Sequence, residues 1–163
     1  MYKSYIKFRI LTIILLEAFM EKENEINVLD ELNKGACMGK DAINFIKAKV
    51  QDQALKKELE IQFGKYNDIT DKIAKCYPEY SDKEPHETNA MNKAMTWYGI
   101  EMKTMIDDST SKLAELLMQG TNMGIIEGRR LLNQKGTDPQ VESLIQEYVD
   151  MQEEAVEALK KYL

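Results

Sequence analysis

Apolar residues recur at intervals of three and four along most of the chain, and this spacing constrains the fold more than any other feature. An α-helix turns once every ~3.6 residues, so such a stripe lets each helix bury one face against its neighbours. Only three prolines interrupt the 163 residues, and the alternation typical of β-strands is not seen in the sequence. The chain is therefore predicted to be all-α.

Breaks in the pattern divide the chain into four long helices and one short helix. Two of the prolines lie in residues 78–87, and residues 107–111 string together helix caps and poor helix formers. Gly136 is a natural helix stop, and Asp138 followed by Pro139 is a typical helix start. The predicted helices span residues 24–51, 53–77, 88–106, 110–134 and 138–163, with Thr88 or Asn89 capping the third.

Loop lengths predict how these helices are connected. Short turns join the first helix to the second and the fourth to the fifth, so each pair is expected to form an antiparallel hairpin. A long connection containing the short third helix links the pairs. Two hairpins joined by one crossover form a ferritin-like four-helix bundle. The rival interpretation is a single kinked helix over residues 88–134, which would overshoot its neighbours.

The first nineteen residues differ in character from the rest. Basic residues precede an apolar run at residues 10–16, which is shorter than the ~20 residues of a membrane-spanning helix, so no stable membrane anchor is expected. No small-x-small cleavage site follows Glu17. We expect residues 1–19 to be an N-terminal extension, with Met20 as the start of a domain over residues 20–163. A signal-like or surface-binding segment and an integral first helix are the alternatives.

Charge and cysteine content bound the environment and the partners. The formal net charge is -6, and an acidic protein without a basic stripe repels phosphates, so no nucleic-acid partner is expected. Cys37 and Cys76 are predicted to differ in height by ~13 Å along the first hairpin, too far apart for a disulfide, which needs Cα atoms within about 7 Å. Two reduced thiols indicate a cytoplasmic location.

Glycines in the interior of the predicted helices require an explanation, because each costs about 1 kcal/mol relative to alanine. Counting outward from the turn near Asp52 places Gly39 opposite Tyr66, which indicates that a large side chain packs into a space left by a small one. The alternative is a groove for a ligand or a partner helix. The helix-interior glycines include Gly35, Gly39, Gly120, Gly124 and Gly128.

Histidine is nearly absent, and this bears on the chemistry that helical bundles often support. A ferritin-type di-iron site needs Glu-x-x-His on two helices. The single histidine, His86, follows Pro85 in a predicted loop, where a solvated side chain is expected. The sequence therefore predicts no metal site of this type and no cofactor.

One set of inward-facing polar residues is a candidate ligand site. Glu127 lies on the predicted inward stripe of the fourth helix, and Tyr148 lies at nearly the same height on the fifth. A hydrogen bond between them would satisfy a buried carboxylate, with Arg130 pairing at the edge. Gln152 is expected to bond to Thr121. A structural network, a position at the rim, and a ligand-contacting carboxylate with a raised pKa are the interpretations left open.

The third helix carries a set of soft apolar side chains. They fit either a core face or a surface that binds a protein partner or a second copy of the chain. The residues are Met91, Met95, Trp97, Tyr98, Met102 and Met105.

Residues 113–128, together with the terminal pattern Glu153-Glu154-x-x-Glu157-x-Leu159, resemble an uncharacterised bacterial branch of the ferritin-like superfamily. Some members of that branch resemble spore-coat-associated proteins, so the resemblance implies a ferritin-like bundle without oxidase chemistry and an association with spores. The family's metal ligands do not carry over, because Glu-x-x-His is missing from this sequence. We expect a non-enzymatic structural or interaction bundle. The alternatives are a metal- or small-ligand-binding protein with its site near Glu127 and a metal-dependent oxidoreductase.

Overall fold

The described part of the protein folds into five α-helices, four of them long. The computed structural model describes residues 2–87, 89–134 and 136–163, and the side chains among them from residue 10 onward. Within these residues there are no β-strands, so the all-α prediction is confirmed. The helices are α1 (Tyr2–Lys47), α2 (Gln53–Cys76), α3 (Ala90–Thr104), α4 (Thr110–Leu132) and α5 (Pro139–Leu159). Single 3₁₀ turns, Tyr77–Glu79 and Lys160–Tyr162, follow α2 and α5.

Side-chain caps fix the starts of four of these helices, of which the Asp52 cap was not predicted from the sequence. Asp52, Asn89, Ser109 and Asp138 each accept a hydrogen bond from a backbone N–H in the first turn of the helix that follows. Such caps satisfy N–H groups that have no partner within the helix. The alternative cap Thr88 lies outside the described residues. The break at residues 107–109 excludes the continuous kinked helix.

Four helices form a square bundle in which each neighbour runs antiparallel to the next. Lys47 pairs with Glu60 at one end of the α1–α2 hairpin, and Asp30 meets Tyr77 at the other. The α4–α5 hairpin is also antiparallel. Contacts between α2 and α5 and between α1 and α4 close the square. In chain order, α1 runs up, α2 and α4 run down, and α5 runs up.

The short helix α3 carries the chain back between the two hairpins. It lies along the outside of α1 and runs parallel to it, because Lys93 pairs with Asp41 at 2.9 Å and Glu101 with Lys49 at 2.9 Å. Ile100, on the inner side of α3, is buried. The predicted short helix in the crossover is therefore present.

The core follows the predicted stripes on α1, α2, α4 and α5. Its apolar part begins at Val28 on α1 and continues to Leu159 at the end of α5. Ala36 on α1 is also fully buried.

Helix α1 begins far earlier than expected. It continues from Tyr2 through Met20 without interruption, because nothing in this stretch breaks a helix: the first glycine is Gly35 and no proline precedes it. Its side chains from residue 10 to residue 23 are exposed. The interpretation of residues 1–19 as an extension with Met20 as an alternative start stays a prediction. In the described residues no helix is long and apolar enough to cross a membrane.

Candidate functional site

The centre of the bundle holds a small group of buried polar side chains. The Tyr66 hydroxyl on α2 donates to the Gln152 amide oxygen on α5 at 3.2 Å. Gln152 is 1% exposed, and its amide nitrogen has no hydrogen-bond partner. The ring of Tyr148 meets that of Tyr66 edge-on, with ring centroids 6.5 Å apart. Two of the three predicted site residues, Tyr148 and Gln152, therefore lie side by side in the core.

Glycines on α1 make room for the two tyrosines. A Cβ atom on Gly39 would overlap the Tyr66 ring and lie 2.8 Å from its hydroxyl. A Cβ atom on Gly35 would lie 2.7 Å from the Tyr148 hydroxyl. The predicted pairing of Gly39 with Tyr66 is confirmed, and the same arrangement recurs one helical turn away.

Side chains of α5 fill the spaces beside two of the α4 glycines in the same way. A Cβ atom on Gly124 would overlap the Gln152 amide, and one on Gly128 would overlap Val149. Gly120 differs, because it is exposed and nothing lies within 4 Å of a Cβ atom placed there. The three glycines therefore do not form a continuous groove. Two of them accommodate side chains of α5.

Burial controls the ionisation of the central tyrosines. It raises the pKa of Tyr66 far above the usual range, and the nearby Tyr148 adds to the rise. Burial also raises the pKa of Tyr148 to about 12, partly offset by the Gln152 amide. Both phenols are neutral at physiological pH. They can donate and accept hydrogen bonds there but cannot act as bases.

Glu127 lies at the edge of the bundle rather than in its centre. Its carboxylate forms an ion pair with Arg130 three residues on, and its side chain is 41% exposed. No hydrogen bond to Tyr148 is present among the described side chains, so that expectation is wrong. Glu127 is still close enough for its charge to contribute to the raised pKa of Tyr148. The orientation of α4 about its axis places Gly124 and Gly128 against α5, and Glu127 therefore points toward the edge of the bundle.

The expected bond between Gln152 and Thr121 is also not formed. The Thr121 hydroxyl donates to the Leu117 carbonyl of its own helix at 2.9 Å, as threonines within helices often do. It also lies beside the Tyr66 hydroxyl and favours the ionised form of that group. Tyr66 takes the Gln152 amide oxygen instead.

The single histidine is largely exposed, as expected, but it also contacts α1. Its Nδ1 lies 2.8 Å from Asp30 Oδ2, and its backbone N–H donates to Asp30 Oδ1 at 2.8 Å. The Tyr77 hydroxyl donates to the same Oδ1 at 2.9 Å. Asn33 donates to the His86 carbonyl at 3.0 Å. These contacts hold the connection between α2 and α3, which contains Pro78 and Pro85, against α1. Sequence reasoning missed it, although two inward-facing polar residues on α1 were an available signal.

A second group, also missed, lies at the lower end of the bundle. Glu25 is 3% exposed, and its Oε1 accepts from the backbone N–H of Asp138 at 2.9 Å. Its Oε2 has no partner, and neither does the buried hydroxyl of Thr137. Burial raises the pKa of Glu25, partly offset by the Asp138 hydrogen bond. Burial and the neighbouring Glu79 raise the pKa of the Cys76 thiol, which makes it a poor nucleophile.

The methionine-rich side of α3 is exposed, so its interpretation as part of the core is wrong. Met91 is 73% exposed and Met105 is 78% exposed. Only Ile100 and Thr104 of this helix are buried. We call the exposed set the α3 face. It consists of Met91, Met95, Trp97, Tyr98, Met102, Met105 and Ile106.

The structure adds three observations on possible ligands. Among the described residues, no three of His, Cys, Asp or Glu are grouped so that they could hold a metal ion. Cys37 and Cys76 do not form a disulfide. An open surface groove of about 500 Å³ between α2 and α5 is lined partly by Lys72 and Gln140, but Lys72 already pairs with Glu147.

Comparison with known protein families, curated proteins and solved structures finds no match to this chain.

Proposed function

We propose that this protein is a non-enzymatic helical bundle that acts by binding another protein through the α3 face. The single observation that carries the proposal is the exposure of seven large apolar side chains, five of them on α3 and two, Met105 and Ile106, in the turn that follows it. Single exposed apolar residues are ordinary, but a contiguous apolar patch is typical of a binding surface. Methionine suits such a surface, because its flexible side chain adapts to the shape of a partner.

The contacts that hold α3 against the bundle favour a binding role for the α3 face. Two ion pairs hold α3 against the bundle, Lys93–Asp41 to α1 and Glu101–Lys49 to the turn that follows α1. Ile100 and Thr104 are its buried contacts. A helix held in this way can present its outer side to a partner without first having to fold. Binding then costs little ordering entropy.

The proposal extends to the family and the location of the protein. The up, down, down, up order of the long helices, with α3 in the crossover, is compatible with a ferritin-like bundle. A bacterial origin, an association with spores and a cytoplasmic location belong to the same proposal. The acidic net charge of -6 supports a protein partner rather than a nucleic acid.

A ligand site near Glu127 is the alternative, and the central packing argues against it. Tyr66, Tyr148 and Gln152 occupy the space that the glycines leave. Elemental analysis of protein purified from its native source tests this alternative. Stoichiometric iron or manganese in the purified protein would overturn the non-enzymatic proposal.

Site-specific photo-crosslinking in the organism that makes the protein tests the α3 face. A benzophenone amino acid is placed at Met95 and, as a matched control, at Met123, an equally exposed methionine on α4. We expect a discrete protein adduct from position 95 that weakens at least several-fold when Met91 and Met102 are changed to Gln. Equal adducts from both positions, or none from position 95, would contradict the proposal.

A further inference from the structure

Helix α1 is far longer than the bundle it belongs to. At 1.5 Å per residue, its 46 residues span about 69 Å, whereas the 24 residues of α2 span about 36 Å. The lower end of the bundle lies near Glu25, which contacts Asp138 at the start of α5. The part of α1 before Glu25 therefore projects beyond the other helices. We call residues 2–23 the projecting helix.

The projecting helix has apolar side chains on every side. Between residues 10 and 20 only Thr12 and Glu17 are polar. Successive residues advance by about 100° around a helix axis, so the remaining nine cover the full circumference. Phe19 is 66% exposed. A helix that is apolar all round is normally buried, so a partner helix packed against any side of this segment removes apolar surface from water. Its exposed large side chains are Ile10, Leu11, Ile13, Ile14, Leu15, Leu16, Phe19 and Met20.

Charges of opposite sign flank this apolar stretch in the sequence. The basic block before it is Lys3, Lys7 and Arg9, and the block at its far end is acidic overall, because Glu17, Glu21 and Glu23 outnumber the one lysine among them, Lys22. Two such helices side by side and parallel would place like charges together. Antiparallel, they place each basic block beside the acidic block of the other copy. The segment is therefore self-complementary in charge about a point near Ile13.

We propose that the projecting helix pairs antiparallel with the same helix of a second copy, forming a two-fold symmetric dimer. Such an interface uses the same patch on both subunits. The antiparallel arrangement also places the two bundles at opposite ends of the pair, where they do not overlap. An anionic lipid surface would attract the basic block but repel the acidic one, so the charge pattern favours a second copy. This inference concerns a surface separate from the α3 face and does not depend on it.

Charge reversal tests the pairing on the full chain. We expect the native protein to be a dimer by light scattering. Reversing the basic block (K3E, K7E, R9E) or the acidic block (E17K, E21K, E23K) should weaken dimerisation at least 10-fold, because both then place like charges together. Mixing the two reversed proteins should restore a dimer containing one copy of each. A monomeric native protein, or a mixture that stays monomeric, would overturn the proposal.

Disulfide trapping tests the direction of the helices, in a chain where Cys37 is changed to Ser and Cys76 to Ala. Ile13→Cys should crosslink to itself, because that position meets its own copy. Lys3→Cys should not, because its two copies would lie about 30 Å apart, well beyond the ~7 Å that a disulfide allows. Self-crosslinking of Lys3→Cys with none from Ile13→Cys would show a parallel pair and refute the proposed one.

Two further measurements distinguish pairing of the projecting helix with a second copy from the alternatives, an interface on the α3 face and a lipid surface. Changing Met91, Met95 and Met102 on the α3 face to Gln should leave the dimer unchanged, and loss of the dimer would place the interface on α3 instead. Sedimentation with vesicles of phosphatidylglycerol and phosphatidylcholine should leave the dimeric protein in the supernatant. Monomeric protein that moves quantitatively to the vesicles would identify lipid as the cover and overturn the dimer.

Discussion

The Tyr66 hydroxyl donates to the Gln152 amide oxygen at 3.2 Å, across the α2–α5 interface at the centre of the bundle. Each residue also fills a space left by a glycine, Tyr66 at Gly39 and Gln152 at Gly124. One hydrogen bond therefore links the α1–α2 pair to the α4–α5 pair, and in each pair a side chain fills the space beside a glycine of the neighbouring helix. It lies where related architectures hold ligands between facing helices, and here the side chains of the chain itself occupy that position.

Removing both partners of this hydrogen bond should be better tolerated than removing one. Tyr66→Phe and Gln152→Leu should each destabilise by about 1–2 kcal/mol, because each leaves a buried polar group without its partner. The double variant should fall at least about 1 kcal/mol short of the sum. Urea denaturation of the four proteins measures this coupling. Additive effects would show that the bond contributes nothing beyond packing.

Alanine at the glycines of α4 should have opposite effects at two neighbouring turns. Gly124→Ala should destabilise by about 1–3 kcal/mol, because the new methyl group overlaps the buried Gln152 amide. Gly120→Ala meets open space and should stabilise by about 0.5–1 kcal/mol through helix propensity. Thermal or urea unfolding compares the pair directly. Similar effects at both sites would contradict the packing described here.

The Asp30 network should depend on the carboxylate far more than on the imidazole. Asp30→Ala should cost about 2–4 kcal/mol, because the Tyr77 hydroxyl and the His86 backbone N–H both lose their acceptor. His86→Ala removes only the contact of a largely exposed imidazole with Asp30 and should cost less than about 1 kcal/mol. Hydrogen exchange of residues 78–87 provides a second measurement. Faster exchange in the histidine variant than in the aspartate variant would refute this ranking.

Glu25 should make stability fall as the pH rises. Burial raises its pKa in the folded protein, so the folded state holds its proton more tightly than the unfolded state. By linkage, its contribution to stability is fully present below the ordinary glutamate pKa. That contribution is lost as the pH rises from the ordinary value through the raised one.

Glu25→Gln tests this dependence, because glutamine keeps the oxygen that accepts from Asp138 and removes the charge. The stability of the variant relative to the native protein should increase with pH across that window, measured by urea denaturation at a series of pH values. Glu23→Gln, at an exposed position two residues away, is the control and should show no such trend. A constant difference between Glu25→Gln and the native protein would contradict the assignment.

Hairpin counting on the sequence reached part of the candidate site. It paired Gly39 with Tyr66 because both lie the same distance from a recognisable turn, and rise per residue is constant in a helix. It also placed Tyr148 and Gln152 in the core. It failed for Glu127, because the position of a residue along its helix does not determine which side of the helix that residue lies on. One residue changes direction by about 100°, and Gly124 and Gly128 took the inward side instead.

The sequence by itself determined the all-α class, the bounds of α2 to α5 to within a few residues, the Asp138 cap and the break before Ser109, because these follow from short-range periodicity and backbone hydrogen bonding. Only the tertiary structure decided which apolar faces are covered. The α3 stripe has helical spacing, yet it faces outward because Ile100 and Thr104 take the inner side. Likewise, the contacts of Asp30 with His86 and of Glu25 with Asp138 join residues 56 and 113 positions apart. Periodicity carries no information over such distances, and only the packing of whole helices brings these groups together.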